Sequence, residues 1–352
     1  MDRRVDDLDK VERLHVLIGA DCNNNCIFCM EEDRDGRHHR MNAIEPENVR
    51  QMLEANAFRR EVIFTGGEPT LNPYFPQYVH QAKEYGYNLI GVCTNGRRLA
   101  YAKYAAMLVR AGLNHFIVSI HGPDAKTHDA LTRTRGSFEQ AMAGLRILKG
   151  LQRLTNLDIH TSTVLNQRNF RMMKTIYETL SPYVDQLVFN VIQPWGRGHT
   201  YFDRLMPRYS DVAAEFSGFL KSFDAPAKNV FLLDIPYCTT MDIPDHNRGF
   251  NERRVHYDKV PDSRDYWPDS DIRVDDESSI NGGASQKAVL KKDAEQVKDL
   301  LFVHHRDDQD QHQRVKRTEC KTCAFESICD GVWKAYIQKY GWDEFVPVKN
   351  KA

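Results

Sequence analysis

The chain lacks any apolar run near the roughly 20 residues that cross a bilayer. It also lacks charge of one sign, since 48 basic and 49 acidic side chains leave a formal net charge of -1. The first absence excludes a membrane-spanning helix. The second removes the global field that would draw nucleic acid or anionic lipid. Met1 to Lys10 are mostly charged, so this end has no apolar core of a secretory signal. The expectation is a cytoplasmic protein with no nucleic-acid or membrane partner. Cysteine is scarce as well, with eight in 352 residues. Six of the eight lie in two tight groups, Cys22/Cys26/Cys29 and Cys320/Cys323/Cys329, with Cys93 and Cys238 apart. A disulfide framework spreads its cysteines through a short secreted chain, so this grouping points to metal ligation or catalysis.

What the chain does have is a regular alternation of short apolar runs and helical patterns from about residue 14 to residue 194. The strand candidates are His15–Gly19, Glu61–Thr65, Leu89–Thr94, His115–His121, Asp158–Leu165 and Gln186–Gln193. Their length and β-branched content favour strands over helix segments. Helix candidates lie between them near Glu47–Phe58, Tyr74–Tyr85, Leu99–Ala111, Ser137–Leu151 and Asn169–Leu180. Pro46 suits a first helical turn, and Ser137 with Gln140 reads as a capping box. Strands joined by helical crossovers predict an α/β fold with a parallel sheet. A further helix at Ser210–Phe223 and a short strand at Asn229–Ile235 follow. From Asp242 to Arg317 the chain is dense in charge, with a flexible junction at Ser278–Gly283 and an amphipathic pattern over Gln286–Val303. That segment reads as a solvated insertion or as a lid over the site.

Three cysteines in one loop, Cys22-Asn23-Asn24-Asn25-Cys26-Ile27-Phe28-Cys29, can hold three corners of a cubane iron–sulfur cluster. The fourth iron then has no protein ligand and can bind another molecule. A zinc knuckle short of one ligand is the alternative. With Gly66-Gly67-Glu68-Pro69 downstream, the chain resembles the radical S-adenosylmethionine (SAM) superfamily. The resemblance implies a partial (β/α)6 TIM-like barrel. It also implies a [4Fe-4S] cluster on Cys22, Cys26 and Cys29, and SAM on the open iron. Gly66, Gly67 and Glu68 would meet the amino end of the SAM methionine, Pro69 would stiffen the turn, and Phe28 would lie near the adenine.

All these motifs follow strand ends, where parallel β/α barrels gather their sites. Period-two alternation puts Ile117, Ser119 and His121 on one face of the fourth strand, and Phe116, Val118 and Ile120 on the other. Ser119 then points inward, where the family places a ribose-binding side chain. His121 shares that face and is a candidate catalytic group, although a hydrogen-bonded core histidine fits equally. Cys93 and Asn95 share a face of the third strand. Asn95 is a candidate for cofactor contact and Cys93 for hydrogen-atom donation, while a buried cysteine is usually only a small hydrophobe. The resemblance also implies an arginine at the SAM carboxylate, for which Arg133 and Arg135 are the candidates, and arginine pairs with carboxylates bidentately. Arg197 within Gly196-Arg197-Gly198 is a similar candidate, and Ser162 or Thr163 lines the pocket on the fifth strand.

Cys320-Lys321-Thr322-Cys323 and Cys329 look like the auxiliary-cluster module of the SPASM and twitch subgroups. Cys238 is the best candidate for a fourth ligand, closing one auxiliary [4Fe-4S] cluster. Structural zinc on four cysteines, or on three with a histidine such as His312, is the alternative. The expected organisation is an extension over 1–13, a core over 14–225, an auxiliary module over 226–345 with a charged insertion near 242–317, and a tail over 346–352. The resemblance further implies reductive cleavage of SAM to a 5′-deoxyadenosyl radical that takes hydrogen from substrate. A flavodoxin or ferredoxin would be the low-potential donor. The substrate is expected to be a peptide or protein that is oxidised or cross-linked, although only about a dozen residues precede the first strand. A dehydrogenase or epimerase of a small polar metabolite such as a sugar, aminocyclitol or nucleoside is the second reading. A non-catalytic zinc scaffold is the third.

Overall fold

A computed structural model describes residues 9–30, 46–223, 229–247, 252–259, 272–273, 314–327 and 329–349. In chain order the elements begin with β1 (Asp9–Leu17), α1 (Pro46–Ala55), β2 (Glu61–Thr65), α2 (Phe75–Glu84), β3 (Leu89–Thr94), α3 (Ala102–Ala111) and β4 (His115–Ser119). They continue through α4 (Ala125–Thr132), α5 (Ser137–Gln152), β5 (Asp158–Leu165), α6 (Met173–Leu180) and β6 (Gln186–Val191). Two short turns of helix, α7 (Arg197–Thr200) and α8 (Phe202–Leu205), precede α9 (Tyr209–Lys221) and β7 (Val230–Leu233). The chain then adds β8 (Glu252–Lys259), β9 (Ile272–Arg273), β10 (Arg314–Val315), β11 (Val332–Trp333) and α10 (Lys334–Tyr340).

One sheet of nine strands runs in the order β7-β6-β5-β4-β3-β2-β1-β8-β9, with β1 to β7 all parallel. The six expected β/α strands are present in sequence order, and among the described residues the sheet does not close, ending at β7 and β9. Alternation explains why these segments are strands. Along β5 every second residue is buried against the helices, while Asp158, His160, Ser162 and Val164 are half-buried on the opposite face. Along β4, Phe116 and Val118 are buried and Ile117 and Ser119 half-buried, as the pattern predicts.

Strands of the sheet cross two of the expected boundaries. β1 starts at Asp9, so the sheet reaches into the supposed extension over residues 1–13. The boundary at 225/226 also falls inside the sheet, because β7 pairs with β6 and β8 pairs in parallel with β1. Unpaired strand edges are costly, and adding strands covers them. The Ser278–Gly283 junction, the Gln286–Val303 helix and His312 lie outside the described residues. The capping-box expectation also fails. Ser137 is already helical and makes no side-chain cap to its own turn. Instead Asp129 of α4 accepts from the Gly136 and Phe138 amides at 2.6 and 2.9 Å and from Ser137 Oγ at 2.9 Å. A carboxylate at that helix start suits the positive end of the helix dipole.

The C-terminal residues share the core rather than hanging from it. Trp195 and Trp333 meet edge to face at 6.2 Å. Tyr336, fully buried, stacks on Tyr209 at 4.4 Å. Its hydroxyl accepts from the Tyr209 amide at 2.9 Å and donates to Glu344. Tyr336→Phe strands the Tyr209 amide and removes one donor from Glu344, which keeps the Ser210 amide, so urea unfolding is expected to show a loss of about 1–3 kcal/mol.

Candidate functional site

The loops after β1 and β2 are packed backbone to backbone. Gly67 N donates to Gly19 O at 2.7 Å and Glu68 N to Asp21 O at 2.6 Å. A Cβ on Gly66 would lie 2.3 Å from Gly19 O, and one on Gly67 would lie 2.3 Å from Asp21 O. Gly66 also has φ of +121°, which side chains disfavour. The two glycines thus let the cysteine loop, not open space, come close.

Glu68 is turned inward and nearly fully buried. Its Oε1 accepts from Thr70 N at 3.1 Å, Thr70 Oγ1 at 2.5 Å and Thr94 Oγ1 at 2.6 Å, and its Oε2 accepts from Asn95 N at 2.7 Å. The carboxylate joins the β2 turn to the β3 turn, with Pro69 opening a tight helical turn after it. Burial raises its pKa above the ordinary range, against the donors that pull it down.

The cysteine loop is held from several sides. Asn25 N and Ile27 N donate to Thr132 O and Leu131 O, both at 2.9 Å. Arg197 Nη1 donates to Asn25 Oδ1 at 2.5 Å and Cys26 O at 2.9 Å, and Arg197 N to Cys29 O at 2.9 Å. Arg97, which the sequence reading passed over, donates to Asn23 O and to Asn24 Oδ1 at 3.2 Å. Asn95 Nδ2 donates to Asn23 Oδ1 at 2.6 Å and points to Cys22 Sγ at 3.9 Å, while Asn24 N points to the same sulfur at 3.4 Å. The three thiols are half-buried, and none of the chain's eight cysteines is in a disulfide.

The other predicted residues separate into two sets. Ser119 and Ser162 are register partners on the half-buried face, and Asn190 Nδ2 donates to Ser162 Oγ at 2.5 Å. Asn190 Oδ1 is buried with no partner. Sequence reading missed Asn190, although the alternation of β6 puts it on this face. Cys93 is half-buried on β3 and pairs in register with Ile117. Arg133 is exposed and stacks on the Tyr201 ring at 5.2 Å. Phe28 is buried and meets His121 edge-on at 4.7 Å. His121 has the surroundings of a core histidine. It is 4% exposed, its Nδ1 accepts from Val164 N at 3.2 Å, and it stacks on His128 at 5.6 Å.

In the C-terminal region Cys238, Cys320, Cys323 and Cys329 line one pocket with Tyr237, Phe325 and Phe345 around them. Burial pushes the Cys238 thiol up to about 12, and its neighbours Cys329, Cys323 and Cys320 push in the same direction. Gly331 N points to Cys329 Sγ at 3.4 Å. Among the described residues, only His115, Asp158 and His160 bring three such ligand atoms within 4.8 Å of one another. Neither cysteine group is that tight.

Residues 16–180 match the radical SAM superfamily profile. This stretch is a radical SAM domain, and its α/β sheet has the fold of that class. Among named relatives, the probable GTP 3′,8-cyclase of Methanopyrus kandleri is 28% identical over 190 residues, covering 53% of this chain and 58% of that protein. The AdoMet-dependent heme synthase of Methanosarcina barkeri is 25% identical over 224 residues, covering 59% and 60%. The chain thus spans less than two thirds of either relative. Streptococcus suis SuiB, solved with its precursor peptide SuiA, superposes with a TM-score of 0.59 at 13% identity, covering 97% of this chain and 75% of that one. SuiB bound to S-adenosylmethionine superposes at 0.56 with the same identity. Both likenesses are of fold.

Two outcomes follow from the geometry. Gly67→Ala forces a Cβ into the Ala20 and Asp21 carbonyls, so unfolding is expected about 1–3 kcal/mol easier. Gly150→Ala, on α5 with open space around it, is expected to be neutral or slightly stabilising. The second outcome concerns pH. Burial lowers His128 from 6.5 to about 4, although Asp129 opposes the shift, and burial also holds His121 well below 6.5. The unfolded chain therefore binds more protons below 6.5, and stability present above that pH is lost as pH falls toward 4. Between pH 7 and 5 the loss from His128 is about 2 kcal/mol by denaturant unfolding. His128→Gln is expected to flatten that slope.

Proposed function

We propose that this protein is an enzyme that cleaves SAM reductively at a [4Fe-4S] cluster on Cys22, Cys26 and Cys29, and that it carries a second [4Fe-4S] cluster on Cys238, Cys320, Cys323 and Cys329. The observation that carries the second half is the convergence of those four cysteines on one pocket. The first half is supported by the radical SAM profile and by the two N–H groups aimed at Cys22 Sγ. When bound, the first cluster and SAM supply a 5′-deoxyadenosyl radical that abstracts hydrogen from substrate. The protein's own residues hold and enclose them. Arg97, Arg197 and Asn95 fix the cysteine loop, so its thiolates keep one arrangement. Hydrogen bonds to sulfur and burial set how readily such a cluster takes an electron, with potentials reaching about -700 mV. A flavodoxin or ferredoxin is the fitting donor.

Ser119, Ser162 and the unpartnered Asn190 Oδ1 are polar groups on the interior face that suit the ribose and adenine of SAM. Phe28, buried against His121, is the apolar candidate for the adenine. Arg133, exposed beside Tyr201, and the exposed Arg135 are the candidate guanidinium groups for a carboxylate. Arg197 is committed to the cysteine loop and serves as a positioning residue. Cys93 stands on the same face for hydrogen-atom donation, whereas the buried setting of His121 favours a structural part.

For the substrate, we infer a peptide or protein that is oxidised or cross-linked; a cluster held by Cys238, Cys320, Cys323 and Cys329 would supply an acceptor for the electron left on the substrate. The fold likeness to SuiB over nearly the whole chain supports this. The second reading, a small polar metabolite, draws on the printed activities of the curated relatives, a GTP cyclase and a heme synthase. Neighbouring genes discriminate the two. A short precursor peptide supports the first, and sugar or nucleotide genes support the second.

Anaerobic reconstitution tests the clusters. Iron is expected near about eight per chain, with 5′-deoxyadenosine formed on reduction. Cys238→Ala is expected to lower iron to about four while SAM cleavage continues. Cys26→Ala is expected to abolish cleavage. A zinc-loaded protein inert to SAM would sink the proposal.

A further inference from the structure

The half-buried face of the sheet has a second polar layer, at the opposite end of the strands from the cysteine loop. His115 starts β4, and Asp158 and His160 lie at the start of β5. All three share the parity of Ser119 and Ser162, so they project from the same face at its amino-terminal end. His115 and Asp158 are direct register partners. His115 Nδ1 lies 2.7 Å from Asp158 Oδ2, and His160 Nε2 lies 2.9 Å from Asp158 Oδ1. The two imidazole rings stand edge to face at 4.6 Å.

From this cluster we propose a binding site for a divalent cation of the zinc class, ligated by His115, Asp158 and His160, which clamps β4 to β5. Two imidazoles and one carboxylate are the donor set of zinc sites that keep a fourth position for water. Oxygen-only donors would instead point to calcium or magnesium. Their ligand atoms already lie within 4.8 Å of one another.

A second observation is independent of the first. Metal-binding histidines commonly anchor their remote nitrogen to a neighbour, which His160 does here, whereas the remote Nε2 of His115 is buried with no partner among the described residues. The remote Nδ1 of His160 lies 3.3 Å from the Gln186 side-chain amide, on the adjacent strand in register with it. That amide can turn its oxygen toward an Nδ1–H, since the two ends of a glutamine amide exchange by rotation. Gly91, in register with His115, leaves room for the ring, because a Cβ there would lie 3.0 Å from His115 Cδ2. His115 is 2% exposed, whereas the Asp158 side chain is 47% exposed and gives the ion an entry from solvent. The nearby Arg13 is neutralised by Glu61 at 2.8 Å.

Location argues for a structural part. Active sites of such sheets lie at the carboxyl ends of the strands, and the amino-terminal end serves stability. The inference does not depend on the SAM chemistry proposed above.

Zinc itself is the probe. Anaerobically reconstituted protein is incubated with zinc acetate, desalted, and read by metal analysis and zinc K-edge absorption. The expected result is about one zinc per chain with only nitrogen and oxygen in its first shell. The expected effect of His160→Gln or Asp158→Asn is loss of that zinc with iron content and circular dichroism unchanged. Gln186→Ala is expected to weaken retention about tenfold or more. No retained zinc, a first shell containing sulfur, or zinc kept by both ligand variants would overturn the assignment and leave a proton-bridged network in its place.

Discussion

The architecture of this protein depends on one close approach, the backbone of the cysteine loop lying against Gly66 and Gly67. Two amide–carbonyl bonds, at 2.7 and 2.6 Å, fasten the loops after β1 and β2. No side chain larger than hydrogen fits between them. Once these loops are joined, the Glu68 carboxylate falls between the turns after β2 and β3 and takes donors from both. Asn95 is then placed to hold Asn23 and to face the Cys22 sulfur. The geometry of three thiols is thereby handed from strand to strand rather than set within the loop.

The parallel sheet explains why polar groups gather at both ends of one face. Registered strands put residues of equal parity side by side, and helices bury the other parity. At the carboxyl ends the shared face carries Asn95, Ser119, Ser162 and Asn190. At the amino ends it carries the Arg13–Glu61 pair and the His115–Asp158–His160 group. Ile63, Cys93, Ile117 and Val188 share that face between them. A polar layer in such a place persists only when its members satisfy one another or a ligand. The C-terminal cysteines follow the same logic. Their pocket is walled by aromatic rings, and Trp333 and Tyr336 anchor it to Trp195 and Tyr209 of the core.

Much of this was legible in the chain, for stated reasons. Strand and helix alternation reads directly from apolar periodicity, and the sides of β4 follow from period two. The positions that misled are those where a side chain serves a distant element. Ser137 and Gln140 look like a cap, but Asp129 already satisfies the amides there. Arg197 looks like a ligand-binding arginine, but the Asn25 and Cys26 oxygens occupy it. Glu68 also joins the turns after β2 and β3, a part that its motif alone does not show. Arg97 and Asn190 carry no motif, so only their positions in the fold reveal them.

By itself the amino-acid order determined the strand–helix alternation, the grouping of cysteines into a trio near one end and a trio near the other, and the glycine pair that lets two loops touch. These are properties of spacing along the chain, which periodicity and residue size convert directly into local structure. Only the tertiary structure decided that Cys238 joins the second trio, that β7 and β8 extend the sheet across the expected boundary, and which arginines are already occupied. Such facts depend on which distant segments become neighbours, and hydrogen-bond partners far apart in sequence leave no periodic trace within it.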